Sequence, residues 1–268
     1  MSKPTAKKQT RQKVPAASGA TARRPIELGI SLEHSWVQLR RSGNLPTYGP
    51  RFGFANATVR DVIAVFHNDP WTSLGVREIA HRAGPRTVSG VHLVVRRLED
   101  AGLLNVHPDS RTHRWPRYEA NLDSPILIKL FELVELERQL AFYRRNPPLR
   151  RSLERVVDRL LVESDWRLLG LYVFGSWARG QATKDSDLDI LLVFPSASDE
   201  TSPLARTAER VLAGSWRPSV VVTTVADLGR GLANREPFHQ ELWRDRVIAY
   251  GESTFWQLVR RVIKPQGG

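Results

Sequence analysis

Two aspartates, Asp187 and Asp189, stand one residue apart at the start of the apolar run "SDLDILLVF". This run alternates and then becomes continuously apolar, which predicts a central β-strand whose leading end is open. Side chains at positions i and i+2 of a strand share a face, with Cα atoms roughly 6.6 Å apart, so the two carboxylates can converge on one cation. Hard divalent cations relieve the repulsion between such carboxylates, and Mg²⁺ is the predicted ion.

A Gly-Ser pair, Gly175 and Ser176, precedes these aspartates and follows the segment "RLLGLYVF" directly. That segment predicts a strand, and the residues after the pair predict a short helix. At such a turn glycine lets a phosphate approach backbone N–H groups without a Cβ in the way, and the serine hydroxyl lies beside it. The turn and the two carboxylates together make the two halves of a nucleotide site.

The segment "GSWARGQATKDSDLDILLVF" resembles the signature of the DNA polymerase β-like nucleotidyltransferase superfamily, in which Gly-Ser is followed after ten residues by Asp-x-Asp. It is most similar to the minimal nucleotidyltransferases of bacteria and archaea, and the resemblance covers about residues 149–252. The site residues that it implies are Gly175, Ser176, Arg179 and Lys184 for the nucleotide phosphates, and Asp187 and Asp189 for Mg²⁺ binding and catalysis.

The reaction implied by this resemblance is attack by an acceptor hydroxyl on the α-phosphate of an NTP, with ATP favoured and pyrophosphate leaving. The acceptor stays open among a small molecule, a protein hydroxyl and a nucleic acid end. One residue departs from the family pattern, because Ser219 stands where a third carboxylate is expected. A serine is neither a strong metal ligand nor a general base at neutral pH, so Asp227 or Glu241 replaces it, or the reaction is slow or lost.

Each site residue also has an ordinary structural interpretation. Ser176 could cap a helix, Asp187 could be a turn residue, and Arg179 and Lys184 could be solvated. Their order along the chain favours the site over four separate structural roles.

The formal charge of +12 is concentrated in the first part of the chain. Residues 1–120 hold 19 Lys/Arg against 9 Asp/Glu, whereas residues 121–268 hold 21 against 19. This distribution favours a polyanion such as nucleic acid as a partner of the first part, although a positive surface also supports solubility. The chain has no cysteine, which excludes disulfides and thiolate zinc sites.

The stretch "VREIAHRAGPRTVSGVHLVVRRLEDAGLLNV" predicts a helix, a tight turn and a longer helix, with a hairpin after it. It resembles the winged helix-turn-helix of bacterial and archaeal transcription regulators, some of which serve only as protein-interaction modules. A departure is Gly90, which stands where a longer side chain often reads a base. The resemblance implies binding of double-stranded DNA by Arg86, Thr87, Ser89, His92, Arg96 and Arg97 on the recognition helix, and by Arg111, His113 and Arg114 on the wing.

The predicted fold class is α+β, with a winged helix-turn-helix domain, a linker helix and an α/β nucleotidyltransferase domain that contains a mixed sheet. The linker could pair in a homodimer or brace one chain, and the basic arm could track phosphates, be a solvated tail or be a transit peptide. No apolar run is near the roughly 18 residues that span a bilayer, so a cytoplasmic protein without a membrane partner is expected. The predicted boundaries are a disordered basic arm (1–25), the winged helix with an N-terminal extension (26–120), the linker helix (121–148), the nucleotidyltransferase domain (149–252) and a C-terminal tail or helix (253–268).

Two functions from different classes follow. The first is an enzyme whose winged helix positions it on DNA or on a partner, including a protein acceptor. The second is a DNA-binding regulator that uses a weakened nucleotidyltransferase domain as an NTP sensor. Ser219 favours the sensor, whereas the intact Gly-Ser turn and aspartate pair favour the enzyme.

Overall fold

The computed structural model describes residues 57–108, 116–196 and 201–263. The predicted basic arm lies outside these residues. The first elements are α1 (Ala57–Asn68), β1 (Leu74–Gly75), α2 (Val76–Arg82), α3 (Val88–Asp100), β2 (Leu104–His107) and β3 (Arg117–Ala120). Two helices follow, α4 (Pro125–Arg145) and α5 (Pro147–Glu163). The remaining elements are β4 (Gly170–Val173), α6 (Gly175–Arg179), β5 (Leu188–Phe194), α7 (Thr201–Leu212), β6 (Pro218–Thr224), α8 (Val225–Ala233), α9 (Pro237–Asp245), β7 (Val247–Tyr250) and α10 (Glu252–Ile263).

The first part of the described chain combines three helices with a small antiparallel sheet in the order β1-β3-β2. Tyr118 of β3 is the central residue of this sheet, because it pairs with Leu74 on one side and with Val106 on the other. Helix α3 begins after Thr87, whose side chain accepts a hydrogen bond from the N–H of Gly90 at 3.2 Å. Such N-caps satisfy backbone donors that the first turn of a helix leaves free.

Helix α4 connects this part to the larger sheet and is 21 residues long. The Ser124 side chain caps its N-terminus, and the helix ends at Arg145 before Asn146. Helix α5 then begins at Pro147 and Pro148. Proline fits the first turn of a helix, because the N–H that it lacks would have no intrahelical acceptor there. The predicted linker is therefore followed by a second helix without an intervening loop.

The larger sheet has four strands in the order β6-β5-β4-β7. Strands β5 and β6 run parallel, while β4 runs antiparallel to both of its neighbours, so the sheet is mixed. Alternate residues of β4 and β5 face two different hydrophobic clusters, as the two-residue period of a strand requires. The predicted α+β class with a mixed sheet is confirmed for this region.

One of these two clusters extends from the first part of the described chain to the larger sheet. It joins Phe66 of α1 and Phe131 of α4 to Tyr172 of the sheet and Trp256 of α10. Helices α4 and α10 thus present apolar side chains to both parts of the chain. Helix α10 is consequently a component of the core and not a tail, and Phe255 and Trp256 are fully buried in it.

A buried polar cluster of His67, Glu135 and Arg246 lies at this junction. The Nε2 atom of His67 lies 2.8 Å from Glu135 Oε1, and Nη2 of Arg246 donates to the same oxygen at 2.5 Å. Burial lowers the pKa of the His67 imidazole against the opposing effect of Glu135, so the ring is neutral at pH 7. The Arg246 guanidinium also lies 4.0 Å from the centre of the Trp243 ring, in a cation–π contact.

Helix α4 acts as a brace within the chain. The Nε2 atom of its buried Gln139 donates to the carbonyl oxygen of Ile248 in β7 at 2.7 Å. At the other end of the contact, Nη2 of Arg138 in α4 donates to Oδ1 of Asn68 at the end of α1, also at 2.7 Å. Of the helices that the structure describes, none combines the length and the apolar character needed to cross a membrane.

Candidate nucleotide-binding site

The turn between β4 and α6 depends on Gly175. Its φ of +67° lies in the left-handed region, which costs residues with a Cβ about 1–2 kcal/mol. A Cβ at this position would also collide with the carboxylate of Asp189. The N–H of Phe174 donates to the carbonyl oxygen of Asp189 at 3.1 Å, which fixes the turn against β5. The glycine is therefore required both for its backbone conformation and for the close approach of the carboxylate.

Ser176 is the second residue of α6, and its side chain is partly exposed. The N-cap position of this helix is Phe174, so the interpretation of Ser176 as a helix cap is wrong. Its carbonyl oxygen accepts from the N–H of Gln181 at 2.9 Å, where the chain leaves the helix through Gly180. The serine hydroxyl thus lies beside the Gly175 turn without a capping role.

The two aspartates differ in exposure. Asp189 is the second residue of β5 and is partly buried, whereas Asp187 precedes the strand and its side chain is 56% exposed. Arg217, just before β6, reaches this exposed carboxylate, with its Nε 3.2 Å from Asp187 Oδ1. Another nitrogen of the same guanidinium, Nη1 of Arg217, donates to the carbonyl oxygen of Asp185. Sequence reasoning did not single out Arg217, because its contact depends on how β5 and β6 pair.

The pKa of the Asp189 carboxyl is raised, mainly because burial penalises its charged form. The negative charges of Asp187 and Glu241 raise this pKa further. A hydrogen bond from the Ser219 side chain and the positive charge of Arg179 act in the opposite direction. A cation placed between the two aspartates would relieve the same repulsion.

Ser219 lies directly beside Asp189, because the parallel pairing of β5 and β6 puts these two residues in register. The departure from the family pattern therefore falls at the carboxylate pair itself. Of the two acids considered as replacements, Glu241 is close enough for its charge to act on Asp189. Asp227 instead accepts a hydrogen bond from the Thr224 hydroxyl at 2.8 Å and pairs with Arg230 at 3.1 Å.

The two basic residues predicted to bind phosphate have different surroundings. Arg179 forms an ion pair with the buried carboxylate of Asp245 and lies 3.3 Å from Glu241. Lys184 lies in an exposed turn before β5. The guanidinium of Arg179 thus forms ion pairs with acids of α9. No local sequence pattern predicted Asp245 as its partner, because Asp245 is 66 residues away in sequence.

The donor atoms at this site suit Mg²⁺. Asp187 and Asp189 offer carboxylate oxygens and Ser219 a hydroxyl, and Mg²⁺ is commonly held by one or two carboxylates together with substrate phosphates. Within the described ranges, no group of three or more acidic or histidine side chains is arranged to hold a metal. The residues present therefore fit an ion whose remaining ligands come from the nucleotide and from water.

On α3 and the turn before it, three of the residues predicted to contact DNA have structural partners. Arg86 donates to Asp61 Oδ2 through both Nε and Nη2, at 2.9 and 2.5 Å. Thr87 is the N-cap, and Arg96 pairs with Glu99 at 2.6 Å. The other three predicted contact residues on this helix, Ser89, His92 and Arg97, are exposed, and Leu93 is 54% exposed between them. The predicted wing residues Arg111, His113 and Arg114 lie outside the described part of the chain.

Gly90 has a structural explanation. A Cβ at this position would lie 2.9 Å from the hydroxyl oxygen of Thr87, which is closer than carbon and oxygen ordinarily approach. The glycine therefore makes room for the N-cap of α3, at the position where a base-reading side chain was considered.

Comparison with known proteins supports the assignment of a nucleotidyltransferase domain. Residues 154–251 match the family model described as the nucleotidyltransferase domain. The matched segment contains the Gly175 turn, both aspartates and Ser219, so the C-terminal part of the chain has a nucleotidyltransferase domain, and a transferase activity in general is supported. No curated protein and no solved structure matches the chain.

Proposed function

We propose that the C-terminal part of the chain is a Mg²⁺-dependent nucleotidyltransferase that transfers an NMP from an NTP, ATP being favoured, to a hydroxyl acceptor. One observation carries the proposal, namely the fit of the Gly175 turn against the Asp189 carboxylate. In that arrangement, a triphosphate bound to the backbone N–H groups of the turn would lie beside the carboxylate oxygens that could hold Mg²⁺. The family match over the same residues supports the assignment.

The proposed roles follow from position. The N–H groups of the turn at Gly175 and the hydroxyl of Ser176 hold the β- and γ-phosphates. Mg²⁺ held by Asp187 and Asp189 would neutralise charge on the phosphates and stabilise the attacking and leaving oxygens. Lys184 adds positive charge from the turn before β5.

The transfer forms a bond between the acceptor oxygen and the α-phosphorus, and it breaks the bond from that phosphorus to the oxygen bridging to the β-phosphate. Pyrophosphate leaves, and the acceptor hydroxyl loses its proton. The proton passes to solvent water, since Ser219 stands where a third carboxylate would act as the general base.

We further propose that residues 57–120 bind double-stranded DNA. The order α1, β1, α2, α3, β2, β3 with an antiparallel sheet is typical of winged helices and supports the proposal. Residues 57–120 hold 9 Lys/Arg against 7 Asp/Glu, whereas the preceding residues 1–56 hold 10 against 2 and would supply most of the charge that attracts DNA. Ser89, His92 and Arg97 are the exposed candidates on α3, and the wing residues stay predictions. Homodimerisation and a protein acceptor also stay predictions.

A second candidate function is an NTP sensor that regulates DNA binding. The observation that favours it is the register of Ser219 with Asp189, because a hydroxyl then occupies the place beside the pair where a third carboxylate would act. In that case NTP binding alters DNA affinity and no product forms.

Labelling with α-³²P NTPs and Mg²⁺, with and without cell lysate, separates the two candidates. Wild type is compared with the Asp187→Ala/Asp189→Ala variant and with Asp185→Ala, which removes an exposed carboxylate from the same turn. Label that appears on an acceptor with wild type and Asp185→Ala only establishes the transferase. NTP binding without transfer, lost in the double variant, establishes the sensor, and the absence of both contradicts the proposal.

A further inference from the structure

A cavity of about 230 Å³ lies between α4, the C-terminal end of α6 and the end of α9. Of the residues that the family resemblance assigns to the nucleotide site, the cavity lining includes Arg179 but not Gly175, Ser176 or the two aspartates. Its charged lining consists of five arginines and one carboxylate, namely Arg138, Arg145, Arg179, Arg244, Arg246 and Asp245.

Positive charge exceeds negative charge around this cavity. Asp245 pairs with both Arg179 and Arg244, and the latter contact measures 2.8 Å between Nε and Oδ1. Arg246 pairs with Glu135 behind the cavity wall. Arg138 and Arg145 form no ion pair with an acid among the residues that the structure describes. Even when Glu135 and Glu241 are counted with Asp245, five guanidinium groups face only three carboxylates.

Two nitrogen atoms of these arginines are buried and lack a hydrogen-bond partner within the described ranges. They are Nη1 of Arg138 and Nε of Arg246. The Arg246 side chain is fully buried, so water does not reach it from outside. Buried donors nearly always have an acceptor in native proteins, and leaving one unsatisfied destabilises the fold. These donors lie in the wall of the cavity, and among the guanidinium groups that are exposed to an entering anion are those of Arg145 and Arg244.

The position of Arg145 also supports an anion site in this cavity. A Cβ at Gly180 would lie 2.5 Å from its Nη1 atom, so the guanidinium rests against the chain where α6 ends. Glycine at this position leaves room for the arginine at the cavity, and its φ of +72° allows the helix to end there. Helix α6 thus has the Gly175 turn at one end and the arginine-lined cavity at the other.

We propose that this cavity is a binding site for a small molecule that carries a phosphate group. The volume is somewhat below the roughly 300–1,000 Å³ of typical small-molecule pockets, which suits a small anion. Guanidinium groups match phosphate oxygens with paired N–H donors, and a doubly charged phosphate balances the excess of two positive charges. The anion is either a free one, such as phosphate or pyrophosphate, or the phosphoryl group of a phosphorylated metabolite. The site does not depend on the transferase proposal.

Isothermal titration calorimetry with inorganic phosphate, pyrophosphate and glycerol 3-phosphate tests the proposal. EDTA is present throughout, so that Mg²⁺-dependent binding at the aspartates does not contribute. Arg145→Ala and Arg244→Ala remove exposed arginines of the lining, and Arg151→Ala removes an exposed arginine of α5 outside it. Wild type and Arg151→Ala should bind equally, and the two lining variants should bind at least about tenfold more weakly, as expected for the loss of a charged hydrogen bond. Melting temperatures confirm that the variants are folded.

The outcomes separate this site from the nucleotide site. Binding that persists in Gly175→Ala supports the cavity, whereas binding lost in that variant places the anion at the Gly175 turn and overturns the proposal. Preference for phosphate or pyrophosphate identifies a free anion, and preference for glycerol 3-phosphate identifies a phosphorylated metabolite. No saturable binding of any of the three, or equal binding by the Arg145→Ala and Arg244→Ala variants and wild type, also overturns it.

Discussion

At the scale of single residues, the site depends on a glycine and a serine as much as on its carboxylates. Gly175 adopts a positive φ and leaves the space that the Asp189 carboxylate fills. Ser219 is paired in register with the same aspartate and donates a hydrogen bond to it. Asp189 is thus held between a position that tolerates no side chain and one that offers a hydroxyl instead of a charge.

Gly175→Ala should abolish NTP binding, because the methyl group displaces the Asp189 carboxylate or the turn itself. The free energy of unfolding should also fall by about 1–2 kcal/mol through the positive φ alone. Binding is measured with a fluorescent NTP and stability by urea denaturation. Gly214→Ala is the matched control, since a Cβ there meets no atom within 4 Å. Unchanged NTP binding by Gly175→Ala would contradict the proposed role of the turn.

Ser219→Asp should raise the rate of nucleotidyl transfer if the missing third carboxylate limits the reaction. The expected gain is at least about 100-fold, the lower range for a positioned general base. The added charge beside Asp189 should at the same time raise the pKa of that carboxyl and reduce stability at low ionic strength. Transfer of the α-³²P label is the readout, and Ser215→Asp, at an exposed position before β6, is the control. A rate no higher than wild type would indicate that the pair works without a third acid, or that the domain is a sensor.

At the scale of elements, α3 shows that a residue predicted to contact DNA can instead stabilise the fold. Arg86 is tied to Asp61 of α1, and Thr87 caps the helix with Gly90 leaving room for its hydroxyl. Arg97 is exposed and points away from the apolar face on which Val94 and Val95 are buried. The two kinds of arginine should therefore respond differently to substitution.

Arg97→Ala should weaken binding to DNA of any sequence and reduce the slope of log K against log salt by about 1, as expected for one lost phosphate contact. Arg86→Ala should instead lower stability, because it leaves Asp61 without its bidentate partner. Fluorescence anisotropy with a labelled duplex at several salt concentrations measures the first effect, and urea denaturation measures the second. An unchanged salt slope for Arg97→Ala would count against α3 as the DNA-binding helix.

The junction between α1 and α4 predicts a dependence of stability on pH. The pKa of His67 is lowered by burial, so below about pH 6.5 the unfolded chain binds a proton that the folded chain does not. The free energy of unfolding should therefore decrease as the pH falls from 7 to 5. His67→Gln, which keeps a donor for Glu135, should reduce this decrease, whereas His81→Gln at an exposed position should not. Equal slopes for wild type and His67→Gln, from urea denaturation at each pH, would exclude His67 as the cause.

Local patterns predicted the elements of the site but not its long-range contacts. The alternation around Asp189 and the Gly-Ser turn identified β5 and α6, because strand periodicity and turn preferences act over a few residues. The pairs of Arg179 with Asp245 and of Arg246 with Glu135 join residues 66 and 111 positions apart. Such contacts depend on tertiary packing, and composition alone does not indicate which of the many arginines and acids will meet.

At the scale of the whole molecule, the shared core makes the described chain one cooperative unit. Phe66, Phe131 and Trp256 belong to one cluster although they come from α1, α4 and α10. Differential scanning calorimetry should therefore show a single unfolding transition, with calorimetric and van't Hoff enthalpies in agreement. Phe131→Ala should shift that whole transition downwards, by about 3–5 kcal/mol in free energy of unfolding. Two separate transitions, with only one moved by this substitution, would show that the parts unfold independently.

The junction also limits how this sequence can change over evolutionary time. DNA-binding modules and enzymes are often recombined as cassettes when the linker between them carries few contacts. Here a break within α4 would expose Phe131. It would also leave the buried guanidinium of Arg246 without its carboxylate partner, Glu135. A gene fusion that kept only one part would inherit an open apolar face. The heritable unit is thus the block from α1 to α10, and its two parts are expected to diverge together.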